Sequence, residues 1–347
     1  MTVQNPYANL PAERYWRRAV ASVPPFMLDP TRRESFRLSR TERIATAGSC
    51  FAQEVARVIR RAGFNFYATE TPPERGDGAD PELEANFSAR YGNIYTTRQL
   101  IQLFDRAFGH FQPLATAWRR EDGRFVDPFR PRMEPDGYAS EAEVVAARDG
   151  HLACVRAMFE TLDTFIFTLG LTEGWRDARD GAAFQMPPGV AGGEWDPSIH
   201  VWANAGVGEM TADMLGFVDR LRGVNPRARI ILTVSPVPIA ATYSDRHVLV
   251  SNAYSKSALR VVADEVVAAR PDTFYFPAYE VVTSPATAGR YYSDNLRAVT
   301  EAGKQHVMRL FMSHLEDGAA LPSGAFDARF ESEQVATVIC DEELLDG

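Results

Sequence analysis

Two short apolar runs, "DTFIFTLGL" (163–171) and "RARIILTVSP" (227–236), limit the fold more than any other feature. Phe165, Ile166, Phe167 and Leu169 in the first, and Ile230, Ile231, Leu232 and Val234 in the second, put apolar side chains on both faces of an extended segment. A strand apolar on both faces must be covered twice, which is the situation of a parallel sheet between two helical layers. Residues 43–48, 64–69 ("FNFYAT") and 272–282 ("DTFYFPAYEVV") read as further strands. Helical spacing runs from Phe51 to Ala62, stopped by Gly63, and again over 96–108 with Thr96 or Thr97 as cap. It recurs over 140–162, 211–226, 251–271 (capped by Ser251 or Asn252) and 300–315. Strands alternating with helices predict an α/β sandwich around a parallel sheet.

The chain of 347 residues reads as one elaborated domain. It carries an N-terminal extension (1–42) and insertions near 70–90, 110–140 and 176–206, the last two with hairpin character. An acidic tail (about 326–347) is expected to be poorly packed. The formal charge of −9 argues against nucleic acid or an anionic membrane as partner. Three cysteines, Cys50, Cys154 and Cys340, with no CxxC pair suggest neither a disulfide framework nor a metal site. With no secretory leader pattern and no apolar run of membrane-spanning length, a soluble cytoplasmic protein is expected. The oligomeric state is open. No glycine-rich nucleotide motif occurs, so no cofactor is expected.

Chemistry concentrates at "ATAGSCFAQ" (45–53), where the first strand runs into the first helix. Ligands of open α/β sheets bind beyond the carboxyl ends of strands, so Ser49 stands at such an edge. Its hydroxyl is either a helix cap or a nucleophile beside free helix amides. Cys50 is either a small core residue or a thiol activated at the helix N-terminus, and the core reading is the commoner one.

The pentapeptide Gly48 to Ala52, with "NPYANLPAERYWRRAV", "RYGNIYTTRQLIQLFDRAFG", "FIFTLGLTEGW", "ILTVSPVPIAATYSDRHVLVSNAYSKSALRVVA", "YFPAYEVV" and "YYSDNLRAVTEAG", resembles the GSCFA-domain proteins over nearly the whole chain. That family is grouped with the SGNH/GDSL-like hydrolases. The resemblance therefore implies a flavodoxin-like three-layer α/β/α sandwich and esterase or O-acyltransferase chemistry. It makes Ser49 the nucleophile, with the Ser49 and Gly92 amides and either Asn93 or Thr172 as oxyanion donors. Where the superfamily has Gly-x-Asn-Asp, this chain has Gly170-Leu171-Thr172-Glu173; where it has Asp-x-x-His, the chain has Asp294-Asn295-Leu296-Arg297. Arginine stays protonated and is no base.

A base has to come from elsewhere. Of six histidines, His247 lies in a loop after the strand ending "TVSP" and is favoured, ahead of His200 and His306. Asp294 would orient it. Glu173, Trp175, Arg297 and Tyr292 are assigned to substrate binding. The expected function is a serine esterase or O-acyltransferase acting on an acylated sugar or small natural product, with acyl-CoA or another acyl donor if it transfers. The alternative is a non-catalytic module that binds an acyl or glycan ligand, motivated by the two departures. A weaker third option makes Cys50 the nucleophile of a thioester exchange.

Overall fold

The computed structural model describes residues 5–31, 36–71, 86–315 and 341–346. Its central sheet holds β1 (Ile44–Gly48), β4 (Thr164–Leu169), β8 (Arg229–Val234) and β9 (Thr273–Tyr275), in that order and all parallel. Phe66 adds one parallel bridge on the outer side of Ile44. The chain thus steps from β1 to one edge, then returns past β1 to β4. Its crossovers diverge at the carboxyl ends of β1 and β4, which is where such sheets open a crevice.

Both faces of the sheet are covered. Ala45, Ala47, Phe165, Phe167, Leu169, Ile230, Leu232 and Val234 face one core. It is closed by α2 (Thr97–Ala107), α3 (Glu141–Thr161), α4 (Val207–Val224) and α5 (Val248–Ala269). Ile44, Ile166 and Ile231 face the other, under α1 (Phe51–Arg61), α6 (Ala278–Thr283) and α7 (Glu301–Met312). Odd and even residues of β4 enter different cores, as the uninterrupted apolar run requires. The three-layer α/β/α sandwich is what the sequence implied.

Several boundaries differ from expectation. "FNFYAT" contributes only its bridge at Phe66, because the Thr69 amide leaves the sheet to bond the Ser88 carbonyl. β9 stops at Tyr275, and Pro277, lacking an N–H, leads into α6. α5 begins at Val248, not near Ser251, because the His247 side chain caps it by accepting the Leu249 amide at 3.2 Å. Thr96, not Thr97, caps α2, in a capping box with Gln99.

The insertion at 110–140 holds the short hairpin β2 (Trp118–Arg119) and β3 (Phe125–Val126). That at 176–206 is more regular than a loop: with Glu173 onward it forms an antiparallel sheet, β6 (Ala183–Phe184), β5 (Glu173–Asp177) and β7 (His200–Asn204). The two pack together through Trp118, Val126, Phe129, Ala182 and Phe184 and roof the carboxyl edge. Residues 72–85 of the 70–90 loop and residues 316–340 lie outside the described residues. Of the extension, 5–31 and 36–42 are described, and they form short helical turns and a bridge of Leu38 to Leu315. The tail expectation is corrected at its end: Asp341 and Glu342 are buried in a 3-10 turn, held by donors described below.

Candidate functional site

Gly48 makes the first turn of the site. Its φ is +136°, and a Cβ there would fall 2.3 Å from the Thr168 carbonyl oxygen, so only glycine lets β1 end this close to β4. Ser49 follows, its amide donating to the Thr168 oxygen at 3.1 Å. The residue is 3% exposed, and its Oγ has no hydrogen-bond partner among the described residues. α1 starts with no side-chain cap. The hydroxyl therefore is not the helix cap that the pattern allowed. Cys50 is buried beside it, in line with the core reading.

Gly170, just past β4, closes against Ser49. A Cβ on Gly170 would lie 2.9 Å from the Ser49 Cβ and 3.1 Å from the Tyr95 carbonyl oxygen, so Ser49, Tyr95 and Gly170 meet at one point. The Gly170 amide bonds the Tyr95 oxygen at 3.2 Å, and its carbonyl accepts from Lys256 Nζ at 2.9 Å. Lys256 is 1% exposed, an unusual depth for an ammonium group. From the other side, Gln53, one turn along α1, donates to Asn93 Oδ1 at 2.9 Å and fixes that carboxamide with its NH2 group outward.

That NH2 group belongs to a convergent set of donors. Asn93 Nδ2 (2.7 Å), Gln185 Nε2 (3.1 Å) and the Tyr95 hydroxyl (3.2 Å) all reach Oδ2 of Asp341. Arg132 holds Oδ1 at 3.1 Å. Glu342 follows, with Arg297 Nη2 at 3.0 Å and the Ala240 amide at 3.3 Å. Burial pushes both carboxyls above their ordinary pKa, against the lowering effect of Asn93 and Arg132 on Asp341 and of Arg297 and Lys256 on Glu342.

Beyond the donors a cleft of about 400 Å³ opens between the β5–β7 sheet and the loop before α5. Trp175, Trp195, Trp202, Tyr243, Phe184 and Met186 line much of it. Trp175 meets Trp195 and Tyr243 edge to face, at 5.6 and 4.8 Å between ring centroids. Glu173 braces the wall, accepting from Trp202 Nε1, the Thr242 hydroxyl and the Tyr243 amide.

Of the residues assigned from sequence, Ser49, Gly92, Asn93, Thr172, Glu173, Trp175 and Arg297 gather at this edge. Gly92, at φ +71°, sits against Gln185, whose Nε2 would be 2.7 Å from a Cβ there. Thr172 is buried; its amide bonds Ser255 Oγ and its hydroxyl has no partner. The rest stand apart. His247 is exposed and caps α5, and Asp294 is exposed on the loop before α7. Tyr292 turns its hydroxyl to the Pro236 carbonyl at 2.7 Å instead of the cleft. His200 accepts the Asp196 amide, and His306 bridges Tyr291 and Leu28. None of the six histidines bonds Ser49, whose hydroxyl has no partner among the described residues.

Sequence reasoning missed Tyr95, Gln185, Arg132, Lys256 and the two tail carboxylates. Tyr95 lies inside the quoted stretch "RYGNIYTTRQLIQLFDRAFG", and Gln185 inside the 176–206 insertion. Lys256, directly after Ser255, lacks the S-x-x-K spacing that would mark a serine–lysine site. Nothing local in "DEELLDG" signals burial, since acidic residues are ordinarily solvated.

The family model of the GSCFA family matches residues 43–311. No curated protein matches the chain.

Proposed function

The chain belongs to the GSCFA family, and from that premise we propose that Ser49 is the nucleophile of an ester-directed site of the SGNH-like kind. It hydrolyses or transfers the acyl group of an acylated sugar or small natural product. The observation that carries this reading is the buried Ser49 hydroxyl, unbonded among the described residues, where Ser49 and the Tyr95 backbone close on Gly170; the Tyr95 hydroxyl joins two amide groups on a single oxygen. Three donors on one oxygen are what a developing oxyanion needs, and the site pre-forms them.

In the proposed step, Ser49 Oγ attacks the acyl carbonyl carbon. The carbonyl oxygen takes the place of Asp341 Oδ2 and accepts from Asn93, Tyr95 and Gln185. Once substrate has displaced Glu342, which Lys256 otherwise faces as a cation, Lys256 replaces His247 as the group that takes the serine proton; a lysine in a desolvated site can act so. The proton then goes to the departing alcohol, and water or a second alcohol resolves the acyl-enzyme. The aromatic cleft suits the faces of a sugar ring or an acyl chain.

The test is fluorophosphonate labelling read by intact mass, on the Asp341→Ala chain, in which the donors are released, and on the same chain with Ser49→Ala. Labelling at Ser49 that vanishes in the second chain is expected. A folded Asp341→Ala chain that never labels sinks the proposal. It would favour the non-catalytic module, which the lack of any histidine at Ser49 and the engagement of the Ser49 amide with Thr168 also support.

A further inference from the structure

We propose that the donors beside Ser49 form a receptor for a ligand bearing two neighbouring acid groups, and that Asp341 and Glu342 occupy it as the chain's own stand-in. The proposal takes from the preceding reading only that this is the ligand site; it does not depend on Ser49 chemistry.

Three observations converge. First, among the described residues every side chain that bonds an Asp341 oxygen donates to it: Asn93 Nδ2, Gln185 Nε2, the Tyr95 hydroxyl and Arg132. Glu342 is met by Arg297 and the Ala240 amide, with the positive charge of Lys256 nearby. An amide placed here would turn its NH2 toward Arg132 or the two carboxamide NH2 groups, so the site favours carboxyl oxygens. Second, Asp341 and Glu342 are among the most deeply buried acids of the chain, at 1% and 7% exposure. Burial of two carboxyls is costly, and a random contact of a polar tail would leave them in water. Third, the parts have different origins. The donors come from residues 93–95, 132, 185, 240, 256 and 297, all inside the span shared with the family, whereas the segment lies beyond residue 311.

The occupant also indicates the ligand's shape. Leu345 follows Asp341 and Glu342 and lines the aromatic cleft with Trp175 and Tyr243. A ligand of this site would thus place its two acid groups on the donors and its apolar or ring portion in the cleft. The chain as a whole carries a formal −9, so this concentration of cations runs against the general charge of the protein.

The experiment uses the full-length chain with Asp341→Lys and Glu342→Lys, which sets two ammonium groups against Arg132, Arg297 and Lys256 and displaces the segment. Fluorescence anisotropy follows a labelled peptide of the sequence Asp-Glu-Glu-Leu-Leu-Asp. The charge-reversed chain is expected to bind it at least about tenfold more tightly than the native chain, whose own segment competes. Millimolar glutarate should displace the peptide and glutaramide should not. Adding Arg297→Ala should weaken peptide binding by about tenfold. Equal peptide binding by native and charge-reversed chains, or equal displacement by glutaramide and glutarate, overturns the proposal. Asp341→Ala with Glu342→Ala serves if the lysine pair does not fold, with the same criteria. Ser49 labelling reports separately: labelled Ser49 without diacid binding removes this proposal alone, and diacid binding without labelling removes the catalytic reading alone.

Discussion

Two buried polar clusters lie close together in this molecule, and they are built on opposite plans. Under the insertion, Glu70 bonds His151 at 2.6 Å and Arg130 at 3.2 Å, while Asp127 takes Arg130 at 3.4 Å and Arg148 at 2.9 Å. Each acid there is answered by side chains of the insertion itself and of α3. Beside Ser49 the donors are equally ordered, but what they hold comes from the far end of the chain, and the serine hydroxyl itself is unanswered. Buried polar groups that satisfy one another hold the structure; groups that converge on a replaceable partner hold a ligand.

The largest expected effect tests the second plan. Ser49→Ala should lower acyl transfer or ester cleavage by more than about 1000-fold while leaving the melting temperature nearly unchanged. Any ester that the native chain turns over, assayed with both chains, checks it. Asn93→Ala should cost about 100-fold in the same assay, the usual effect of deleting one oxyanion donor.

Asp127→Ala tests the first plan and should do the reverse. It leaves Arg130, Arg148 and Arg106 without their shared carboxylate, and loss of one partner in a buried charge cluster costs about 3–5 kcal/mol. Denaturant unfolding measures it. If Asn93→Ala proves as destabilising as Asp127→Ala, the contrast between the clusters is broken.

The two clusters should also respond to pH with opposite sign. Burial pushes His151 down from 6.5 to about 4, so its stabilisation is complete above pH 6.5 and is lost as pH falls through about 4. Burial alone would raise Glu70, but the hydrogen bond and charge of His151 and the charge of Arg130 bring it to about 2. Its contribution, present above 4.5, disappears only as pH falls toward that value. Asp341 and Glu342 are raised from 3.8 and 4.5 while facing Tyr95 and Arg132, and Arg297 and Lys256. Docking of the segment therefore tightens as pH drops into the carboxylate range and weakens as pH rises above it. Global unfolding and C-terminal protease access, followed over the same acid titration, should diverge.

The smallest effect sharpens the positioning of the site. Thr96→Ala removes the capping box next to Tyr95 and should cost about 1 kcal/mol, read as a shift in the denaturant midpoint.

Much of this fold was legible because burial leaves periodic marks. The runs 163–171 and 227–236 became β4 and β8, apolar on both faces, and the helix after Cys50 followed its spacing. Errors fell where a bond that periodicity does not mark took over: Thr69 leaving the sheet for Ser88, and His247 starting α5 early as its own local cap. The position of His247 in a loop at the active edge could not reveal that its ring bonds its own helix.

The sequence by itself determined the layered α/β architecture, the glycine–serine turn at the end of β1 and the family, because these rest on patterns of neighbouring residues. Only the tertiary structure decided what surrounds Ser49. Asn93, Tyr95, Gln185, Lys256, Arg297 and Asp341 are spread from residue 93 to residue 341 of the 347, and no spacing relates them. Their meeting depends on where strands end and insertions fold back, and on a segment whose acidic composition says solvent while its donors say otherwise.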